Sequence, residues 1–185
     1  ANPQRYFEAV EAAVELGHMA ANISGLQISV FATRYGEPGT TLRWSTRVES
    51  QAELQAAMDK LAGDPAYRKW LEAHAELFAG APTSQLTSIV SAANITPVPR
   101  RFYTVLTATA ANGKYADAIA FGVKGQQFVA EATGLTTMFG TSVFGAFGSV
   151  GWLTGADDAS QLDELRAMEA TNPGYHELVA EAADL

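Results

Sequence analysis

The sequence predicts an α+β fold made of two tandem repeats, each an antiparallel sheet with helices on one face. Three observations lead there. The chain echoes itself at a spacing of 108 to 109 residues: Pro65 and Tyr67 recur as Pro173 and Tyr175, Trp44 as Trp152, and Gly25-Leu26 as Gly134-Leu135. Within each copy the apolar period switches between helical spacing and strand alternation. Turn and capping residues punctuate both copies at matching places.

The elements follow in order. Residues 5–21 carry Phe7, Val10, Val14 and Ala21 at helical spacing, and Asn22 to Gly25 supply a polar exit ending in glycine, which predicts a first helix. "LQISVFATR" is β-rich, "YGEPGT" has turn chemistry and "TLRWSTRV" is strand-like, so the three read as an antiparallel hairpin. Ser50, with Glu53 three residues on, forms a capping box that opens the helix "QAELQAAMDKLAG". Asp64 as N-cap and Pro65 in the first turn start another helix, ending near Phe78 to Gly80. "QLTSIVSA" returns as a strand.

The second copy supplies a strand "RRFYTVLTATA", a helix from Lys114 to about Thr133, and a hairpin "LTTMFGTSVFGAFGSVGWLTG". A helix from about Asp157 and another from Asn172-Pro173 complete it. A single deletion near Glu37 to Thr40 reconciles the two spacings. The expected domains are residues 1–97 and 98–185. Each is a β-α-β-β-α-β split arrangement, the ferredoxin-like plan. The first copy has no opening strand before Tyr6 and the second no closing strand; these are expected from a trimmed part of the protein or from another part of its assembly.

Composition bounds the function. At 185 residues and 48% apolar content the chain can bury a core without staples, and the absence of cysteine removes thiol nucleophiles and Cys-based metal sites. A formal charge of −8 opposes phosphate neutralisation, so nucleic acid is not an expected partner. No apolar run has the length of a membrane span, and the acidic opening "ANPQRYFEAVEAAVELGHMAAN" is unlike a signal peptide, so no membrane is expected and the cytoplasm is the default location. Ala1 stands where an initiator Met would, which reads as a mature or trimmed chain.

This order of elements, with the short helix beginning Asp64-Pro65-x-Tyr67 and Asn172-Pro173-x-Tyr175 after the second helix of each copy, resembles the dimeric α+β barrel superfamily. Within it the likeness is to the NIPSNAP-like and antibiotic-biosynthesis-monooxygenase-like groups. The resemblance implies two ferredoxin-like repeats packed as a dimeric-α+β-barrel-like unit within one polypeptide. It also implies a pocket between sheet and helices that takes a small apolar or aromatic molecule; the Ala-rich helices and the edges left by the missing strands favour a homo-oligomer or larger assembly.

The repeat acts as an internal control on function. Residues kept in both copies, such as Trp44/Trp152 and Tyr67/Tyr175, serve the shared fold; those in one copy are candidates for local work. His18 aligns with Gln127 and His74 with Ala182. Tyr67, Trp70, Leu71, His74 and Phe78 share one helix face, which sets His74 beside an indole as a general base, as a ligand to heme iron, or as a histidine satisfied by a carbonyl. His18, read as close to the inward side of the first helix with Tyr6 and Met19 near in sequence, is the first choice of base, since pockets of the superfamily lie between the sheet and its helices. Tyr6 is the tyrosine alternative. Trp70, Tyr67 and Met19 would then line the pocket.

Arg43 and Arg47 alternate with Leu42, Trp44 and Val48 on one expected strand, opposite glycines in the second copy. They either hold a carboxylate or enolate oxygen or pair with Glu49, Glu53 and Asp59. Gly140, Gly145, Gly148 and Gly151 are flanked by strands on both sides, which excludes a dinucleotide loop; such glycines either permit close approach of another backbone or leave space above the sheet for a ligand.

Heme-degrading members of the superfamily use an asparagine, a tryptophan and a histidine; here Trp70 and His74 lie four residues apart and Asn112 has no matched histidine. Heme is therefore the disfavoured alternative, and no cofactor or metal is expected. Two function classes stand. One is a cofactor-independent monooxygenase or polyketide-type cyclase acting on an aromatic or polyenol substrate; the other is a non-enzymatic ligand-binding or assembly module.

Overall fold

The computed structural model describes residues 1–35, 40–80, 82–144 and 146–185, with the backbone alone at position 184. The chain divides into two compact units, Ala1–Pro82 and Thr83–Leu185. The fold is α+β: among the described residues there are six α-helices, a two-stranded and a four-stranded antiparallel sheet, and no closed barrel. None of the described helices is long and apolar enough to cross a membrane. The turn expected in "YGEPGT", with the deletion placed there, falls largely on residues 36–39 and so lies outside the described residues, as does Gly145.

In the first unit, α1 (Tyr6–Ser24) stops at Gly25, whose left-handed φ of 82° lets its N–H close on the Ala21 carbonyl. β1 (Ile28–Ala32) and β2 (Leu42–Thr46) pair with Val30 opposite Trp44. α2 (Gln51–Gly63) opens where the Ser50 hydroxyl accepts the Glu53 N–H at 3.1 Å; the Glu53 carboxylate accepts from Glu49 N–H at 2.7 Å, so the returning half of the expected capping box reaches one residue further back. α3 (Pro65–His74) is capped by Asp64, which accepts the Tyr67 N–H at 2.9 Å. It ends at His74, and a 3-10 turn over Ala75–Leu77 replaces the last expected helical turn.

The apolar stripe of α1 is not its buried face. Ala9, Ala12, Ala13, Leu16, Gly17 and Ala20 are buried, whereas Phe7 is 81% and Val14 40% exposed. The reason is proximity: a Cβ added to Gly17 would stand 2.7 Å from Val30 Cγ2, so only small residues let the helix backbone approach the hairpin this closely.

The second unit contains β3 (Thr87–Ala93), β4 (Phe102–Thr109), α4 (Tyr115–Thr133), β5 (Thr136–Ser142), β6 (Ser149–Ala156), α5 (Ala159–Thr171) and α6 (Pro173–Ala180). Its sheet runs β3-β5-β6-β4. α4 covers β3, β5 and β6, and α5 packs beside it against β6, with Phe139 and Leu165 among the fully buried side chains.

The two units repeat each other in detail. α1 and α4 each span 19 residues, and α2 and α5 each span 13. Trp44 Nε1–H donates to the Ala13 carbonyl and Trp152 Nε1–H to the Gly122 carbonyl, both at 2.9 Å. Gly134 (φ 69°) ends α4 as Gly25 ends α1, and Asn172 accepts the Tyr175 N–H at 3.3 Å as Asp64 accepts that of Tyr67. The volumes trade places: Ala13 and Val30 in the first unit correspond to Gly122 and Phe139 in the second.

Residues 83–97, grouped with the first repeat by sequence, carry β3, which pairs with β5 of the second unit. Polar side chains fix it there. The Ser91 hydroxyl donates to Gln126 Oε1 at 2.6 Å, and Gln126 Nε2 donates to Thr137 Oγ1 at 2.7 Å, inside a buried site. The Asn94 amide, on a residue with φ of 54°, donates to the Ala130 and Leu135 carbonyls at 3.3 and 3.1 Å. Gln126 occupies the place of Gly17, so the first unit has no counterpart of this clamp.

Candidate functional site

In the first unit one cluster gathers several of the expected residues. Trp70, 6% exposed, packs with Ala9, Ala12, Leu16 and Leu77, and half-buried Met19 and Tyr67 lie against them. Burial pushes the Tyr67 hydroxyl above its ordinary pKa. His74 stacks on Trp70, the ring centroids 4.0 Å apart and the planes 18° from parallel. Its Nδ1 lies 2.9 Å from the Trp70 carbonyl oxygen. A carbonyl only accepts, so a neutral His74 carries its proton on Nδ1 and keeps Nε2 as its acceptor. The Trp70 Nε1–H is buried with no hydrogen-bond partner among the described residues.

The remaining expected residues are dispersed. His18 is exposed, which corrects the inward placement read from sequence: Leu16, Gly17 and Ala20 define the buried face of α1, and position 18 falls on the far side of the helix. Tyr6 is half-buried and meets Phe7 edge-on at 5.7 Å. Arg43 sits on β2 opposite Phe31, on the hairpin face turned away from α1. Arg47 does not continue that strand: pairing ends at Thr46, and its guanidinium lies 3.7 Å from the Glu49 carboxylate with both side chains largely exposed. The chain is already turning there toward the Ser50 cap.

The second unit offers a surface of a different character. Trp152 and Phe139 point to α4, so the alternation of the pleat sends Met138, Leu153, Val105 and Ile89 to the opposite face, away from the described helices α4 and α5. Gly140 and Gly151 are paired across β5 and β6 on that same face. The space above Gly140 is taken, since a Cβ there would meet Thr87 Cγ2 at 2.6 Å. Above Gly151 it is open: a Cβ would meet only the Leu106 carbonyl oxygen at 3.5 Å and Thr107 Cγ2 at 3.8 Å, ordinary contact distances. Gly151 thus leaves an open place on this face, bordered by Leu153 and Ser149 along β6, Gly140 on β5 and Thr107 on β4. Apolar residues of "RFYTVLTAT" fall on both faces of β4, so the sequence pattern does not mark this face; which face stays bare depends on where α4 lands.

Two small grooves lie elsewhere in this unit. One, of about 140 Å³, is lined by Thr133, Leu135, Gln161, Glu164 and Met168, and a more open one, of about 310 Å³, by Asp117, Phe121, Lys124 and Glu181. Lys124 and Glu181 form an ion pair at 2.6 Å across the second. Neither includes any of the residues expected to act. No protein-family model matches the chain, and no curated protein matches it.

Proposed function

We propose that the protein is a small-molecule-binding module of the dimeric α+β barrel type, and that it binds a neutral apolar or aromatic ligand on the bare face of the second unit's sheet without transforming it. The observation that carries this reading is the open place above Gly151, on a face that also carries Met138, Leu153, Val105 and Ile89. These four side chains are uncharged, and Arg100, which lies over Gly155 further along the same face, is already paired with Asp157, which favours a ligand held by burial over one held by ion pairing. The monooxygenase and cyclase reading would instead place its ligand beside one of the candidate bases His18, His74 and Tyr6 on the helices of the first unit.

The test fills that place. Gly151→Leu adds a side chain where a Cβ fits without clash, so the fold is retained while the open place is occupied. Titration with a neutral solvatochromic naphthalene dye is expected to give saturable binding that weakens at least about tenfold in Gly151→Leu. Binding that is absent from the parent protein, or equal in the variant, overturns the proposal.

A further inference from the structure

Between β4 and α4 the chain turns on Asn112 and Gly113. They are the central residues of a β-turn: Lys114 N–H donates to the Ala111 carbonyl at 2.9 Å, and Gly113 takes a φ of 81°. Both are exposed. Among the described residues, no hydrogen bond reaches the Asn112 side-chain amide or the Gly113 N–H. A Cβ added to Gly113 would meet nothing within 4 Å, so the space around this peptide is open. The corresponding residues of the first unit are Pro3 and Gln4, so the pair belongs to one copy alone.

The other asparagines serve as an internal control. Asn2 and Asn172 precede proline, which has no N–H to lose. Asn22 and Asn94 precede isoleucine, whose branched side chain crowds the backbone nitrogen. Asn22 also lies in the last turn of α1, where helical geometry fixes its backbone, and the Asn94 amide is engaged with the Ala130 and Leu135 carbonyls. Asn112 alone combines a free amide with a following nitrogen that is free, unhindered and exposed.

We infer that the Asn112-Gly113 turn is a site of covalent self-modification, at which the folded protein deamidates through a succinimide. The Gly113 nitrogen, having lost its proton to hydroxide, attacks Asn112 Cγ. The N–Cγ bond forms, the Cγ–Nδ2 bond breaks, and Nδ2 leaves as ammonia with a proton from water, which regenerates the hydroxide. Water then opens the ring: cleavage at Cγ gives aspartate, and cleavage at the main-chain carbonyl gives isoaspartate, in which the chain runs through the side chain. Nothing is oxidised or reduced, and water is the co-reactant. Either product places a negative charge just ahead of α4, whose N-cap Lys114 makes no side-chain capping bond, so the helix dipole favours that charge. Isoaspartate also lengthens the backbone next to Ala111, whose N–H donates to the Leu185 carbonyl. The inference rests on this turn and is independent of the ligand reading.

The test ages the native protein beside the same protein unfolded in guanidinium chloride, both in warm, mildly alkaline buffer. Peptide mass spectrometry reads each asparagine, and electron-based fragmentation separates isoaspartate from aspartate. An exposed turn opens at almost no cost, so Asn112 is expected to convert in the native protein within about threefold of its rate in the unfolded chain. Isoaspartate is expected among the products, and the rate is expected to rise in proportion to hydroxide. On isoelectric focusing the aged parent should gain an acidic band that Asn112→Gln, which would have to close a larger ring, does not. An Asn112 that stays intact in the native protein while the unfolded chain converts it, aspartate without isoaspartate, equal conversion at Asn22 or Asn94, or the same acidic band in Asn112→Gln overturns the inference.

Discussion

The exchange of volumes between the two units makes a quantitative prediction about Gly122 and Phe139. A Cβ on Gly122 would stand 2.1, 2.2 and 2.6 Å from three ring atoms of Phe139, well inside the 3.4 Å at which ordinary contact begins. Phe139 cannot retreat, because it is fully buried with its ring centroid 5.0 Å from that of Trp152. An overlap of that size in a closed site belongs at the upper end of the overpacking range, about 3 kcal/mol. The helix propensity gained by replacing glycine with alanine offsets about 1 kcal/mol. Gly122→Ala should therefore destabilise by about 2 kcal/mol. Phe139→Val, which opens a cavity, should cost about 2 to 3 kcal/mol.

The double variant restores the Ala13 and Val30 pairing of the first unit. With the ring gone, the added methyl fills space and keeps its helix gain, so Gly122→Ala should change sign and stabilise the Phe139→Val background. The assay is a double-mutant cycle by urea unfolding, followed by circular dichroism. A coupling of about 2 to 3 kcal/mol is expected, and additivity within about 0.5 kcal/mol would refute the packing argument.

Two further predictions concern the first unit's indoles and an acid-sensitive cap. Trp70→Phe removes a buried N–H that has no partner among the described residues, whereas Trp44→Phe breaks a 2.9 Å bond, so Trp70→Phe should be the milder by about 1 to 2 kcal/mol in urea unfolding; equal losses sink the idea. The N–H of Ser160, with its hydroxyl and the charge of Arg101 assisting, holds the Asp158 carboxyl below its ordinary pKa. That stabilisation is present above the unfolded pKa near about 4 and is lost as pH falls through the folded value. Asp158→Asn keeps a capping oxygen without the titration, so its melting temperature should fall less steeply below about pH 4; parallel acid limbs for the two proteins would remove the cap from the account.

The helices and strands were legible because their signals are local. Asp64-Pro65, Asn172-Pro173, Gly25 and Gly134 announce helix ends through single-residue chemistry, and the structure ends the helices there. Burial was less legible. Phe7, Val10 and Val14 form the more conspicuous stripe of α1, yet close approach to the hairpin selects the alanine face, and apolar size alone carries no information about that distance.

The pairing of β3 was hidden for a related reason. "QLTSIVSA" has the same composition whichever edge it joins, and the choice is made where Ser91 and Asn94 meet Gln126, Ala130 and Leu135, partners distant in sequence that appear only in three dimensions. At the candidate site, the shared face of Trp70 and His74 followed from helical spacing. The placement of His18 failed because it needed the phase of α1, which the stripe misreports.

The position of β3 has a consequence for how the gene could be divided. The copy that recurs in sequence and the unit that folds are offset along the chain by one strand. A break at the sequence boundary after residue 97 would leave the second unit without the edge that covers β5, and with a buried glutamine amide facing the place of the lost Ser91 hydroxyl. A break near Pro82 keeps strand and glutamine together. A cut after residue 97 would therefore meet a folding penalty in the second unit that a cut near Pro82 avoids.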